Sequence, residues 1–365
     1  MPDPTAISAS QLVGEKTSVL RILDANVNRA TEGLRVLEEY VRFVLDDAHL
    51  SRLCKDLRHD TAGALQQIAG PERWAARDTL RDVGTQISAP AEYLRENLAD
   101  VLTANASRVE QSLRCLEEYA KLLSPGLAPL FEAFRYRAYT LARAIIITGQ
   151  SCQRLSHARL YVLVDGGSSA ESFGLLIRRL TAAGTHVIQL RDKQLCDRVL
   201  VERARLLRTL TRRTNTLFIM NDRPDLALLA DADGVHVGQA ELTVKDARTL
   251  IGPQRLVGVS THSLDQARQA VLDGANYIGC GPTFPSGTKT FASFPGTEFL
   301  QQVRQELSLP AFAIGGISRD NVEQVVAAGF TRIAVSGAVV AAADPGQAAN
   351  WLLGKLPTSA ASGRE

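Results

Sequence analysis

A (β/α)8 barrel preceded by an all-helical domain with an internal duplication is the fold class that this 365-residue chain predicts, and three observations predict it. From about residue 158, eight short apolar runs alternate with helix-patterned stretches, the count of a closed parallel barrel. Before that point apolar residues recur every three or four positions, the period of an amphipathic helix. Within that helical half one helix is written twice. "LDANVNRATEGLRVLEEY" (Leu23 to Tyr40) and "LTANASRVEQSLRCLEEY" (Leu102 to Tyr119) agree at ten of eighteen positions, where chance gives about one.

The bulk numbers narrow the function classes. Forty-one basic against thirty-nine acidic residues leave a net charge of +2, so no long-range field draws the chain to nucleic acid or an anionic membrane. Any anionic ligand must be caught by local groups. Cys54, Cys115, Cys152, Cys196 and Cys280 are scattered and odd in number, with no C-x-x-C. That argues against a disulfide framework and a structural zinc, and fits a reducing, cytoplasmic setting. No signal peptide and no membrane-spanning run is expected.

Residues 1–17 are expected to be disordered and residues 18–150 to form the helical domain. In the first copy Leu23, Ala30, Leu34, Leu37, Val41 and Val44 fall within about 80° of one another at 100° per residue, which makes one packed stripe. Breaks at "AGPE", "SAPAEY" and "SPGLAP" divide the half into four or five helices, arranged as a pseudo-symmetric bundle. Asn26 and Arg29 lie beside the stripe, and Asn105 and Arg108 repeat them. They are candidates to line a pocket between the copies or, on the plainer reading, to fix helix register. The stretch "RDTLRDVGT" offers a cation, a carboxylate and a Gly/Thr turn in Arg77, Asp78, Gly84 and Thr85, which Arg58 and His59 are candidates to join.

After the polar joint "GQSCQRLSH" come the strand runs 160–166, 186–193, 217–222, 234–238, 256–261, 277–284, 311–316 and 332–337, within a barrel spanning 158–355. Residues 356–365 are expected to be disordered. An open doubly wound sheet competes less well, because no G-x-G-x-x-G follows the first strand. Chemistry in such barrels sits at the C-terminal ends of the strands. There Gln189, Arg191 and Lys193 share one face of the second strand, a costly arrangement unless something anionic answers it. Asn221 and Asp222 end the third strand, and Glu241 follows the fourth. Two carboxylates beside that face suit a Mg²⁺ bridging protein and diphosphate oxygens, although Asp222 also reads as a helix N-cap. His236 sits mid-strand and reads as a packed, hydrogen-bonded histidine. Ser263 with Gln266 reads as a capping box, leaving Ser260 to face the pocket. The loop "GPTFPSGTKT" reads as a lid carrying Ser286, Thr288 and Lys289. Gly315, Gly316, Val335 and Ser336 stand where the last two strand ends of this fold bind phosphate. One diphosphate site and one monophosphate site imply two phosphorylated small-molecule substrates.

Taken in order, "QLRDK", "ND", "HVGQAE", "GVSTH", "GPTFPSGTK" and "IGGIS" resemble the motifs of the thiamine-phosphate synthase family across residues 158–355. The resemblance implies condensation of hydroxymethylpyrimidine diphosphate with a thiazole phosphate, with Mg²⁺ as cofactor. It also implies roles. Gln189, Arg191, Lys193, Asn221, Ser260 and Lys289 hold the pyrimidine diphosphate, and Asp222 and Glu241 the metal. Gly316, Val335 and Ser336 hold the thiazole phosphate. Arg191, Lys193, Lys289 and Ser260 are the catalytic set. This chain carries Glu241 where the family usually has Asp, and Ser286 where Thr is common. Barrel relatives that tautomerise the thiazole are the rival, but need no diphosphate site. Residues 21–146 resemble the small helical hydroxymethylpyrimidine-phosphate kinase family found fused ahead of such synthases, which implies ATP as co-substrate. A regulatory binding module or an oligomerisation element, with the chain then a homo-oligomer, are the alternatives for this half.

Overall fold

The computed structural model describes residues 9–68, 70–87, 94–285 and 294–358, and the chain divides into two units, 1–146 and 147–365. The first unit is helical: α1 (Ala9–Tyr40), α2 (Ala48–Gln66), α3 (Gly70–Ala75), α4 (Leu98–Leu123) and α5 (Ala128–Arg154), whose last turns extend into the second unit. Helix α1 therefore runs through residues 9–17, expected from composition to lack order. Thr17 and Ser18 turn their hydroxyls back to the carbonyls of Val13 and Gly14, and Lys16 pairs with Glu72 at 2.7 Å. Local bonds of this kind leave no trace in hydropathy.

The stripe of the first copy is buried from Leu23 to Val41, but Val44 is 47% exposed. A wide helical turn, Val41–Leu45, replaces the α period after Tyr40 and rotates Val44 outward. Asp46 then takes a left-handed conformation (φ 59°), and Asp47 caps α2 by accepting from the Leu50 N–H at 2.8 Å. The duplicated helices α1 and α4 pack on each other at Gly33. A Cβ there would stand 2.7 Å from Val109 Cγ2 and 3.2 Å from the Asn105 carbonyl, so only glycine allows this approach.

The two copies repeat their polar contacts. Asn26 and Asn105 each donate to the carbonyl four residues back, at 2.9 and 2.8 Å. Glu38 meets Arg58 of α2 at 3.1 Å, and Glu117 meets Arg135 of α5 at 2.8 Å. The repeat unit is thus a helix pair rather than a single helix. Both glutamates are buried, and each needs its arginine to offset the cost of leaving water.

The second unit holds β1 (Leu160–Val164), α6 (Ala170–Ala182), β2 (Val187–Leu190), α7 (Asp197–Thr211), β3 (Leu217–Asn221), α8 (Pro224–Leu229), β4 (Gly234–Val237) and α9 (Val244–Ile251). It continues with β5 (Leu256–Thr261), α10 (Leu264–Asp273), β6 (Tyr277–Cys280), α11 (Gly296–Glu306), β7 (Ala311–Ile314), α12 (Val322–Ala327), β8 (Ile333–Val335), α13 (Gly337–Val340) and α14 (Pro345–Lys355). The eight strands pair in parallel in chain order and close, β8 against β1, as the alternating pattern predicts. Their short, apolar, β-branched runs suit a sheet covered on both faces.

Inside the barrel Phe312 meets Tyr161 and Tyr277 edge to face and the two tyrosine rings are tilted on each other, with ring centroids 5.3–6.0 Å apart. Tyr277 lies across β5 because Gly258 has no Cβ to obstruct it. Burying each ring contributes about 1.5–3 kcal/mol and makes a floor under the strand ends. Among the described residues no helix is long and apolar enough to cross a membrane.

Candidate active site

A cavity of about 610 Å³ opens above that floor, at the C-terminal ends of the strands. Gln189, 2% exposed, rises from β2 and donates its Nε2–H to Tyr161 Oη at 2.8 Å. Arg191 and Lys193 follow on the same side and line the cavity. Between them Asp192, two residues past the end of β2, points away from the cavity. Its carboxylate accepts from the backbone N–H groups of Gly166, Gln194 and Leu195 at 2.8–3.0 Å. Burial pushes the Asp192 pKa up, but the bonds from Gln194, Gly166 and Leu195 outweigh it and hold it below the usual carboxylate value. Asp192 thus ties the loop after β1 to the loop after β2 and fixes where its two cationic neighbours stand.

Asp222 is not the N-cap that its position before Pro224 suggests. Arg223 occupies that place, without a side-chain capping bond, while Asp222 adopts a left-handed backbone (φ 58°). Aspartate tolerates this conformation better than most residues. The Asp222 N–H donates to the His236 carbonyl at 2.8 Å, and Asn221 Nδ2–H donates to Asp222 Oδ2 at 2.6 Å. So held, Asp222 lies 3.4 Å from Lys193 Nζ, and Glu241 from the turn after β4 lies 3.6 Å from the same nitrogen. A single positive charge sits between two carboxylates from adjacent strands. Among the described residues no group of three His, Cys, Asp or Glu side chains converges to hold a metal ion.

His236 from β4 and Ser260 from β5 meet at 3.0 Å, Nε2 to Oγ. The imidazole is buried and its pKa is pulled down to about 4, because burial disfavours the cation more than the Asp222 charge favours it. Ser263 caps α10 by accepting from the Gln266 N–H, while Gln266 Oε1 accepts from His262 N–H rather than from Ser263. Ser260 is left to the cavity. Opposite, Gly315 (φ 100°) and Gly316 (φ 66°) end β7, and a Cβ on Gly316 would lie 2.5–2.6 Å from the carbonyls of Pro285 and Phe284. Val335 and Ser336 end β8 on the same cavity wall.

The structure therefore brings Gln189, Arg191, Lys193, Asn221, Asp222, Glu241, Ser260, Gly315, Gly316, Val335 and Ser336 around one cavity. Ser286, Thr288 and Lys289 lie outside the described residues. Sequence reasoning missed Tyr161, Tyr277 and Asp165, which also line it. The two tyrosines stand inside apolar runs, and nothing in the pattern marks their hydroxyls as paired at 3.1 Å.

The candidates of the helical unit are more dispersed. Arg29 and Arg108 are exposed, as is His59. Arg77 grips the buried Asp24 through two bonds of 2.7 and 2.9 Å, and Arg21 reaches the Asp78 carbonyl at 3.2 Å. The Gly84 N–H donates to Asp82, and Thr85 follows in the short helical turn Val83–Gln86. Among the described residues no hydrogen bond or ion pair joins Arg58 or His59 to this loop; Arg58 is held by Glu38 instead.

Comparison with known proteins follows the same division. The sequence model of a family described as thiamine monophosphate synthase matches residues 160–339, and that of the ThiD2 family matches residues 21–144. A thiamine-phosphate synthase of Rhodopirellula baltica is 46% identical over 334 residues, covering 89% of this chain and 89% of the relative. One of Gloeobacter violaceus is 43% identical over 344 residues, covering 94% and 98%. A solved thiamine phosphate pyrophosphorylase of Pyrococcus furiosus is 34% identical and covers 56% of this chain and 96% of its own, with a TM-score of 0.49.

Proposed function

Because the chain belongs to the thiamine-phosphate synthase family, we propose that its barrel joins hydroxymethylpyrimidine diphosphate to a thiazole phosphate, releasing diphosphate and leaving thiamine phosphate. The observation that carries the reading is the single cavity that sets Arg191, Lys193, Asp222 and Glu241 opposite the glycine turns of β7 and β8. An electron-rich aminopyrimidine expels diphosphate readily, and the cationic methylene left behind is trapped by the thiazole nitrogen. The chain's part is to neutralise the departing charge with Arg191 and Lys193 and to hold the nucleophile in line. Lys289 is expected to add a third cation. No general base is required.

Two carboxylates already converge on one positive charge, the Lys193 ammonium, and one or two carboxylates are what Mg²⁺ takes from a protein when phosphate oxygens supply the rest. The residues present fit that ion, with Asp222 and Glu241 holding it. When bound, it supplies charge stabilisation to the leaving diphosphate. Gly315, Gly316, Val335 and Ser336 hold the thiazole phosphate, the two glycines letting their backbone N–H groups approach it closely because no Cβ intervenes.

The helical unit, by its resemblance to the hydroxymethylpyrimidine-phosphate kinases, makes the diphosphate from the monophosphate with ATP. Purified chain is assayed with thiazole phosphate, Mg²⁺ and either pyrimidine diphosphate or pyrimidine monophosphate plus ATP. Thiamine phosphate from both supports both activities. Product from the diphosphate alone removes the kinase, and product from neither removes the synthase reading.

A further inference from the structure

We propose that His236 is a positioning residue of the barrel site, whose Nε2–H holds the Ser260 hydroxyl as a fixed hydrogen donor to the diphosphate of the substrate. The inference rests on the synthase reading of the cavity, which His236 also lines, and goes beyond it by assigning His236 a role exerted through Ser260. His236 is 9% exposed. Its ring lies tilted over Tyr277, centroids 5.5 Å apart, and its Cε1 is within van der Waals range of the place a Gly279 Cβ would take.

The two ring nitrogens have different fates. Nε2 meets Ser260 Oγ at 3.0 Å, while Nδ1 is buried with no partner among the described residues. A hydrogen on Nδ1 would be an orphaned buried N–H, the rarer and costlier kind of unsatisfied group. The proton therefore sits on Nε2 and points at Ser260. The same argument rules out the doubly protonated ring.

A serine hydroxyl has one hydrogen and two lone pairs. With one lone pair taken by His236, the hydrogen turns away from the imidazole and into the cavity that Arg191 and Lys193 also line. The Ser260 carbonyl is engaged separately by Gln239 Nε2–H at 2.6 Å, which pins the backbone beneath the hydroxyl. The Ser260 hydroxyl then presents a donor, beside the positive charges of Arg191 and Lys193, to an anion in this cavity. A donor set in advance needs no reorientation as negative charge grows on the leaving diphosphate.

The test is calorimetric titration of the full chain with inorganic diphosphate in excess Mg²⁺, using wild type, Ser260→Ala, His236→Leu, His236→Asn, His236→Gln and the His236→Leu/Ser260→Ala double variant. Loss of the bond is expected to weaken diphosphate binding roughly tenfold in Ser260→Ala and His236→Leu. The double variant is expected to bind no worse than Ser260→Ala, because His236 acts only through that hydroxyl. Glutamine reaches Ser260 with its own N–H and should bind within about threefold of wild type, while asparagine stops a bond short and should resemble leucine. The Gln–Asn contrast decides the matter even where leucine disturbs folding. Losses that multiply in the double variant, a His236→Leu chain that binds like wild type, or a wild type that binds no diphosphate each overturn the inference. The wild-type sample is also assayed for thiamine phosphate formation. A chain that shows the binding pattern but no turnover loses the synthase reading and keeps the His236–Ser260 relation.

Discussion

At Asp222 two demands meet on one residue. Its carboxylate faces Lys193, and its backbone is left-handed at φ 58°. Asparagine accepts that backbone as readily but carries no charge. Asp222→Asn is therefore expected to melt within a few degrees of wild type and yet to lose turnover by about two orders of magnitude or more, the scale of metal-assisted charge stabilisation. Steady-state kinetics beside a thermal melt checks both halves. His236 makes a prediction about pH. Its folded pKa of about 4 lies below the ordinary 6.5. Above 6.5 the ring is neutral in both folded and unfolded chains, and its contribution to stability is complete. Between 6.5 and about 4 only the unfolded chain takes up the proton, so stability falls, by on the order of 3 kcal/mol across that window. Urea unfolding at pH 7 and pH 5 should show a steeper loss for wild type than for His236→Leu.

The elements differ in how openly the sequence declares them. Each barrel strand is a short apolar run ending in polar residues, because a strand covered on both faces must change character where it reaches the cavity. Gln189, Arg191 and Lys193 were legible for that reason, and so were the glycines of β7. The left-handed Asp222, the wide turn at Val41–Leu45 and the paired tyrosine hydroxyls were not, since each depends on a neighbour distant in sequence or on a backbone angle with no residue signature. Gly316 illustrates the legible kind. Gly316→Ala adds a Cβ 2.5–2.6 Å from two carbonyls at a positive φ, so a lowered melting temperature and a raised KM for the thiazole phosphate, with the pyrimidine KM little changed, are expected in two-substrate kinetics. In the helical unit the repeated Glu38–Arg58 and Glu117–Arg135 pairs tie each copy's first helix to its second. Glu38→Ala leaves Arg58 without its partner and should cost about 3–5 kcal/mol, toward the low end because Arg58 keeps some water. Denaturant titration followed by helical circular dichroism measures it.

On the proposed reading each of the two units carries its own chemistry, and lesions in them should separate. Asp222→Asn is expected to abolish thiamine phosphate formation from either pyrimidine substrate while ADP release from ATP and pyrimidine monophosphate continues, read by a coupled assay on the full chain. Within the helical unit one of the eight positions at which the copies differ is set by packing. Where the first has Gly33, pressed against Val109 and Asn105 of α4, the second has Ser112. Writing the second copy's residue into the first would drive a serine Cβ into the opposite helix, so at this position the two halves of the repeat are held to different residues.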